Sequence, residues 1–257
     1  MANPLIALFR ETGSFVAMSL DTGRAVFRRP FQVREFLQQC WFVASVSILP
    51  TCLVAIPFGA IIALQTGALI RQLGAVSLNG GASVIAVVRE AGPIVTALVV
   101  AGAAGSAVCA DLGARKIREE IDAMEVLGID PLQRLVVPRV FAIMVVSALL
   151  NGLVSVVGVA GGFFFSVVVE HGTPGPYFAS FTELAQLPDL YQAEAKAVVF
   201  GLVAGLMASY KGLTAKGGPK GVGDAVNQSV VFTFMLLFAI NFFATSVYTQ
   251  LVPQKAL

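Results

Sequence analysis

Residues 140–169 read VFAIMVVSALLNGLVSVVGVAGGFFFSVVV and contain no charged side chain. An α-helix rises about 1.5 Å per residue, so roughly 20 apolar residues cross about 30 Å of hydrocarbon. A run of 30 residues is therefore long enough to cross a membrane, and it must tilt strongly or extend beyond the bilayer. The rest of the chain is similarly apolar, because 57% of its 257 residues are hydrophobic and only 12% are charged. The sequence therefore predicts an integral membrane protein.

Uncharged runs recur along the chain, at residues 36–70, 91–110 and 225–254. A shorter run of 14 residues lies between Lys196 and Lys211, so a helix that crosses there must include Lys196 or its neighbours. Lipid accepts only helices and closed barrels, and these runs are too long and continuous for barrel strands. We therefore predict an all-α membrane protein with about five transmembrane helices. They are expected near residues 42–70, 84–108, 138–169, 190–211 and 226–250.

The first 35 residues are interrupted by charges, so they contain no apolar core of a signal peptide. On a helical projection, apolar and polar residues of this segment occupy opposite faces. The apolar face holds Leu5, Leu8, Phe9, Val16 and Leu20, and the polar face holds Arg10, Ser14 and Asp21. We predict that residues 1–35 form an amphipathic helix in the membrane interface, followed by a transmembrane bundle over residues 36–257.

The distribution of Lys and Arg predicts the orientation in the membrane. The first 35 residues hold five, residues 110–140 hold five and residues 211–220 hold three, which is 13 of the 17 in the chain. Basic segments next to transmembrane helices stay in the cytoplasm. We therefore expect a cytoplasmic N-terminus, five crossings and a C-terminus outside the cell.

Prolines and small residues predict the shapes and the packing of the helices. Pro50 and Pro57 lie in a run longer than one crossing needs, so a tilted helix with two kinks and a broken or re-entrant helix are both consistent with the pattern. Small residues recur at four-residue spacing, which permits close approach of helices within a bundle or at a dimer seam. The pairs are Gly102 with Ser106, Gly158 with Gly162, and Gly201 with Gly205.

The chain offers few groups for catalysis or metal binding. The single His provides no metal cluster. The number of cysteines is odd, and we interpret Cys40, Cys52 and Cys109 as small buried side chains rather than as a disulfide framework. The sequence contains no G-x-x-x-x-G-K-[ST] phosphate loop, no H-E-x-x-H and no G-x-S-x-G. We expect neither enzymatic activity nor nucleotide binding by this chain, and no nucleic-acid partner.

Residues 110–140 hold eleven of the 32 formal charges in the chain. Ala114, Ile117, Ile121, Met124 and Gly128 fall on one helical stripe, with charged residues around it. Gly128 is predicted to end this helix, and the following Asp-Pro to begin the next one. Such a short helix either lies on the lipid surface or inserts its apolar ridge into a partner. The mixed charge signs favour a partner, because anionic membranes select Lys and Arg alone.

Residues 87–140, VVREAGPIVTALVVAGAAGSAVCADLGARKIREEIDAMEVLGIDPLQRLVVPRV, resemble the MlaE/YrbE family of ABC-transporter permeases, which serve MCE lipid-transfer systems. The resemblance looks closest to the YrbE subunits of actinobacterial mce operons, and it covers nearly the whole chain as one permease domain, residues 1–257. Its most specific parts are REAGP, AGSA followed by an acidic residue, and EEIDAMEVLGIDPLQRLVVPR.

The resemblance implies a cytoplasmic coupling region at residues 111–131 that seats in a groove of a separate ATPase. The residues expected to dock are Glu119, Glu120, Ile121, Asp122, Met124, Glu125, Leu127 and Gly128. The expected partners are two ABC ATPase subunits that bind ATP and Mg, a second permease that is a copy or a paralogue, and MCE proteins outside. The implied location is the bacterial inner membrane, and the implied cargo is a fatty acid, a sterol or a phospholipid, moved by import.

Three charged residues fall inside predicted transmembrane helices, namely Arg89, Glu90 and Lys196. A charge at the centre of a bilayer costs about 2.5–3.5 kcal/mol on insertion scales, so these residues require partners or water. Arg89 and Glu90 point about 100° apart on a helix and cannot satisfy each other well. We therefore expect Glu90 to pair with Lys196, and Arg89 to meet Glu194, Asp189 or a lipid head group.

Two interpretations of these charges stay open. They either form a polar cavity for the head of a lipid, as the resemblance implies, or they snorkel to the outer interface and fix the depth of two helices. Phe238 and Phe242, in a row with Phe234 and beside Asn241, either contact acyl chains in that cavity or face bulk lipid. An ion-coupled secondary transporter is the alternative function, although we see no clear acidic or His relay and no clear inverted repeat.

Overall fold

The computed structural model describes residues 4–28, 32–74, 78–169 and 171–251, and these ranges contain helices and no strand. Eight helices follow one another along the described ranges. They are α1 (Pro4–Ala25), α2 (Val33–Gln72), α3 (Asn79–Ile117), α4 (Glu120–Val126), α5 (Leu132–Val169), α6 (Pro174–Leu184), α7 (Leu187–Leu213) and α8 (Gly218–Leu251). The predicted all-α class is confirmed.

Five of these helices, α2, α3, α5, α7 and α8, are long and apolar enough to cross a membrane. They coincide with the five predicted crossings, but most extend further at their ends. An apolar run marks only the part of a helix that suits hydrocarbon, and backbone hydrogen bonding continues through the polar flanks. Helix α2, for example, begins at Val33 rather than near residue 42.

Helix α3 contains two π-helical turns, at Val87–Ala91 and Val100–Gly105, and α5 begins and ends with similar turns at Leu132–Val136 and Phe165–Val169. A π turn inserts an extra residue into the helical hydrogen-bond ladder and often occurs at functional positions. The first of these turns contains Arg89 and Glu90, two of the charges expected inside the membrane.

Helix α2 continues through both Pro50 and Pro57 without a break. The alternative of a broken or re-entrant first crossing is therefore wrong. A transmembrane helix tolerates proline because neighbouring helices and local adjustments satisfy the freed backbone groups.

The chain divides into two compact units, each assembled from three segments. The first unit comprises Met1–Ala44, Val100–Val145 and Gly201–Leu236, and the second comprises Ser45–Val99, Val146–Phe200 and Leu237–Leu257.

In the first unit, α5 buries one charged residue near its start. Arg139 is buried, and its guanidinium donates to Asp111 Oδ2 at 2.7 Å and to the Leu135 carbonyl at 2.8 Å. Glu35 Oε1 lies 3.7 Å from the same guanidinium. The buried arginine therefore links α2, α3 and α5 in this unit.

The three cysteines are free thiols. Cys109 is buried, whereas Cys40 and Cys52 are half-buried.

In the second unit, α2 and α5 approach each other through glycines. A Cβ atom added to Gly59 would overlap the backbone carbonyl of Gly158, and one added to Gly161 would crowd the backbone of Ile56. The predicted close packing at Gly158 and Gly162 is thus made within one chain, between α2 and α5. Buried Ala55, Val95 and Val154 form a core beside this contact.

The contact between α2 and α5 predicts a strong effect of Gly59→Ala. The added methyl group has no space because the obstacle is backbone, so we expect a loss of roughly 1–3 kcal/mol in the free energy of unfolding. Gly102→Ala is the matched control, because no atom would lie within 4 Å of its added Cβ. Thermal unfolding of the purified protein measures both, and equal melting temperatures for the two variants would contradict the close contact.

Candidate functional site

The charges predicted inside the membrane, on α3 and α7, meet in the second unit beside polar side chains of α8. Lys196 on α7 is only 4% exposed. Its ammonium group donates to Glu90 Oε1 at 3.0 Å, to Thr245 Oγ1 at 2.7 Å and to the Arg89 carbonyl at 3.3 Å. All three protons of the ammonium group therefore have acceptors, and the expected pair of Glu90 with Lys196 is present.

Glu90 is the more open partner of this pair, with 38% of its side chain exposed. Thr245 donates to its Oε1 atom at 2.9 Å, and Asn241 donates through Nδ2 to its Oε2 atom at 3.2 Å. The Asn241 Oδ1 atom is buried and has no partner among the residues that the structure describes. The carboxylate is therefore held by side chains of α7 and α8 while part of it remains accessible.

Arg89 forms a second ion pair beside the first. Its Nε atom lies 2.6 Å from Asp189 Oδ1 at the start of α7. Tyr248 on α8 donates its hydroxyl to the same carboxylate oxygen at 2.7 Å, and the Arg89 guanidinium lies 5.7 Å from the centre of the Tyr248 ring. Of the three partners expected for Arg89, the structure selects Asp189.

Arg89 and Glu90 are consecutive residues but bind different partners. Arg89 reaches Asp189 at the first turn of α7, and Glu90 reaches Lys196 further along α7. Both residues lie in one π-helical turn of α3, and consecutive side chains of a helix point in different directions. We call the cluster of Arg89, Glu90, Asp189, Lys196, Asn241, Thr245 and Tyr248 the polar network. Its two cations and two carboxylates balance, so the network carries no formal net charge.

Glu194 lies outside this network. It accepts a hydrogen bond from Asn151 Nδ2 on α5 at 3.0 Å, and no Lys or Arg of the described ranges pairs with it. The expectation that Glu194 could pair with Arg89 is therefore wrong. Asp189, nearer the start of α7, is the carboxylate that pairs with the guanidinium, and Glu194 binds Asn151 instead.

The isolated carboxyl of Glu194 predicts a mild effect of Glu194→Gln. The amide keeps an oxygen that accepts from Asn151, and the substitution removes a charge that has no ionic partner in the described chain. We expect the melting temperature to stay equal or to rise slightly, whereas Asp189→Asn, which breaks an ion pair, should lower it. A large loss of stability in Glu194→Gln, measured by thermal unfolding, would show that its charge is needed.

Thr245 and Tyr248 are members of the network that the sequence interpretation missed. They lie four and seven residues after Asn241 in a largely apolar run. This helical spacing places the three polar side chains on one face, and it could have predicted that they act together. Phe238 and Phe242 are exposed on the surface of the chain, and the structure does not bring them into the network. In the described ranges, no group of three His, Cys, Asp or Glu side chains could hold a metal ion.

The charged segment between α3 and α5 belongs to the first unit. Helix α3 ends at Ile117, and Glu119 adopts a left-handed conformation with φ of 60° before α4 begins at Glu120. The predicted single stripe from Ala114 to Gly128 is therefore wrong, because the backbone turns between its first and second halves. Helix α4 carries the second half of the stripe alone.

The end of α4 follows the prediction. Gly128 has a φ of 72°, and its N–H donates to the Glu125 carbonyl at 3.0 Å while the Ile129 N–H donates to the Met124 carbonyl at 2.9 Å. This pair of bonds is a Schellman motif, which favours glycine at the left-handed position. Asp130 then caps α5, because its Oδ1 atom accepts from the Leu132 N–H at 2.9 Å.

The exposed residues of this segment differ from the predicted ridge. Ile121 is only 4% exposed and packs within the chain, whereas Val126 and Leu127 are 88% and 74% exposed. Met124 is half-buried, and Glu119, Asp122, Glu125 and Gly128 are exposed. Salt bridges join Lys116 to Asp122 at 2.5 Å and Arg118 to Glu120 at 2.8 Å. The apolar surface available to a partner is therefore at the C-terminal end of α4.

Comparison with known proteins agrees with this architecture. The profile of the family described as Permease MlaE matches residues 36–247. A protein of Synechocystis named as a probable ABC transporter permease is 33% identical over 253 residues, which cover 98% of this chain and 94% of the relative. A probable ABC transporter permease of Rickettsia typhi is 28% identical over 240 residues, covering 93% of each chain.

A plant relative is the chloroplastic protein TRIGALACTOSYLDIACYLGLYCEROL 1 of Arabidopsis thaliana. It is 33% identical over 185 residues, which cover 70% of this chain and 53% of the relative. The family match includes nearly all of the five membrane-competent helices, and it omits only the start of α2 and the end of α8. The chain therefore belongs to the MlaE permease family, whose members here are named as ABC transporter permeases.

Proposed function

We propose that this chain is the membrane-spanning subunit of an ATP-driven lipid transporter, and that the polar network binds the head of the lipid. The observation that carries this proposal is the unequal burial of the pair between Lys196 and Glu90. The lysine is buried and fully hydrogen-bonded, whereas the carboxylate is partly open. A pair that merely snorkels to the interface would expose both charged ends to water.

The chemistry of the network favours a polar head that forms hydrogen bonds. Both cations are already paired with carboxylates, so an anionic head would have to displace one of them. The partly open Glu90 carboxylate and the Asn241 amide offer acceptors and donors for hydroxyl, amide or amine groups. Fatty acids, sterols and phospholipids are the cargo classes that the sequence resemblance implies, and the name of the Arabidopsis relative is that of a glycerolipid.

The exposed end of α4 supports a docking role for residues 111–131. Rigid transmission of force needs a short helix that is fixed at both ends. Helix α4 is fixed by the Schellman motif at its end and by salt bridges near its start. Because Ile121 is buried, Val126 and Leu127 replace it as the proposed apolar contact with the ATPase. Glu119, Glu120, Asp122, Glu125 and Gly128 provide the surrounding surface.

The family and the charge distribution support a proposed assembly. We propose that the chain acts as one domain in the bacterial inner membrane with its N-terminus in the cytoplasm, beside a second permease of the same type. A paralogue is favoured if the chain belongs to an actinobacterial mce operon. Two ATPase subunits would bind ATP and Mg, MCE proteins would receive or deliver the lipid outside, and the direction would be import. Membership of a family of ABC permeases favours ATP over an ion gradient as the source of energy.

Purification of the intact complex from membranes tests this proposal. We expect an ATPase with a phosphate-binding loop, a second permease and MCE proteins to co-purify, together with a bound lipid identified by mass spectrometry. A chain that purifies alone, and that moves lipid in vesicles when only an ion gradient is applied, would contradict it.

A further inference from the structure

Helix α1 borders two adjoining cavities in the first unit, together with the end of α7 and the start of α8. One cavity, of about 710 Å³, has a mixed polar and apolar lining. Its charged and hydroxyl-bearing residues include Arg10, Glu11, Ser14, Lys211, Lys216 and Asp224. The other, of about 470 Å³, has an almost wholly apolar lining. Its apolar residues include Phe15, Val16, Met207, Phe232, Met235 and Leu236.

The two cavities share three lining residues, Glu11, Tyr210 and Lys211. Lys211 is buried, and its ammonium group binds the Glu11 carboxylate and donates to Gln228 Oε1 at 3.0 Å. The same ammonium group lies 4.5 Å from the centre of the Phe232 ring. Lys211 therefore lies at the junction of the two cavities.

The larger cavity contains two cations without an ionic partner among the residues that the structure describes. Lys211 is neutralised by Glu11, whereas neither Arg10 nor Lys216 forms an ion pair with any residue in the described ranges. Asp224 supplies the second acidic group of this cavity, so three basic and two acidic side chains leave one net positive charge. Arg10 and Lys216 are both exposed, which leaves them accessible to a head group.

We propose that the two cavities form one site for an anionic glycerophospholipid of the bilayer. Its phosphate would lie beside Arg10 and Lys216, and part of an acyl chain would lie against Phe15, Phe232 and Met235. Each cavity has the size of a small-molecule site, and basic pockets beside transmembrane helices are known to select anionic head groups. A soluble phosphate would leave the apolar cavity empty, which favours a lipid as the occupant.

This site is separate from the polar network, with which it shares no residue. Its lipid would contact α1, α7 and α8 at once, and it would hold the interfacial helix to the bundle through both head and tail. Under the proposed orientation, the lipid comes from the cytoplasmic leaflet. Its role is that of a bound structural lipid and not of the cargo.

Native mass spectrometry of the full chain in detergent tests the site by titration with phosphatidylglycerol or with phosphatidylcholine. We expect preferential binding of phosphatidylglycerol. In Arg10→Gln/Lys216→Gln, its affinity should fall by about 25-fold, because each basic residue near an anionic surface contributes roughly a factor of five. Both substitutions are at exposed positions, so the fold should be retained, as thermal unfolding will show.

Arg24→Gln/Lys220→Gln is the matched control. It removes the same charge from α1 and from the start of α8, at exposed residues that line neither cavity, and it should keep the preference for phosphatidylglycerol. Equal loss in both double variants, or equal binding of the two lipids by the unmodified chain, would overturn the proposal. Competition by glycerol 3-phosphate at the same concentration as the lipid would also overturn it, because it would show a site for soluble anions. Since the readout is binding, the result is independent of whether the chain transports lipid.

Discussion

Lys196→Met is expected to lower the free energy of unfolding by roughly 2–3 kcal/mol. Loss of one partner from a fully buried ion pair costs about 3–5 kcal/mol, and the lower value follows because Glu90 is 38% exposed. The substitution leaves the Glu90 carboxylate with only Thr245 and Asn241 as partners. Thermal unfolding of the purified protein in detergent measures the loss.

The double variant Lys196→Met/Glu90→Gln tests whether the unpaired charge of Glu90 causes the loss of stability in Lys196→Met. The amide introduced at position 90 is neutral. Its oxygen can accept from Thr245, and its nitrogen can donate to Asn241 Oδ1, which has no partner in the described ranges, after the Asn241 amide rotates, so we expect most of the lost stability to return. Lys220→Met, at an exposed position, is the control for loss of a lysine and should be close to neutral. If the double variant is as unstable as Lys196→Met alone, the ion pair is not the source of the effect.

Val126→Asp/Leu127→Asp is expected to abolish co-purification with the ATPase. If these side chains enter a partner groove, binding must desolvate two new carboxylates, and the affinity should fall by roughly a hundredfold or more. The chain itself should keep its melting temperature, because Val126 and Leu127 are 88% and 74% exposed. Pull-down of the tagged permease from membranes, followed by quantification of the ATPase, measures the loss.

Leu73→Asp/Leu187→Asp is the matched control for this docking surface. Leu73 and Leu187 are also highly exposed but lie outside the charged segment, so the ATPase should still co-purify. Ile121→Asp should instead destabilise the chain, since Ile121 is buried. Undiminished recovery of the ATPase with Val126→Asp/Leu127→Asp would remove α4 from the proposed interface.

The helices were predictable because the bilayer imposes a simple length requirement on apolar runs. The crossing that contains Lys196 could also be predicted. The uncharged run after Lys196 is too short to cross the bilayer by itself, so the helix must include Lys196 or its neighbours. The break at Glu119 was not predictable, because the apolar residues keep helical spacing on both sides of it. The left-handed backbone conformation of Glu119 does not alter that spacing. The sequence likewise could not distinguish an uninterrupted α2 from a broken helix. Whether proline breaks a transmembrane helix depends on whether neighbouring helices satisfy the freed backbone groups.

The polar network was predictable in part for a physical reason. Charges inside a membrane are costly enough that they must find partners, which limited Glu90 and Lys196 to very few choices. The roles of Thr245 and Tyr248 could not be predicted in the same way, because a hydroxyl group in a transmembrane helix does not require a partner of opposite charge. The docking ridge was misplaced because helical periodicity identifies an apolar face but cannot show whether the chain itself already covers it, as it covers Ile121.

ATP-dependent transfer of a fluorescent lipid by the complex reconstituted in vesicles tests the central claim most directly. The comparison is between the unmodified permease and Lys196→Met/Glu90→Gln, in complexes that contain the same amount of ATPase and hydrolyse ATP. If the polar network holds the lipid head, the unmodified complex transfers lipid and the double variant loses at least about 90% of the rate, a loss equivalent to about 1.4 kcal/mol. Full transfer by a stable, assembled double variant would show that the lipid takes another path.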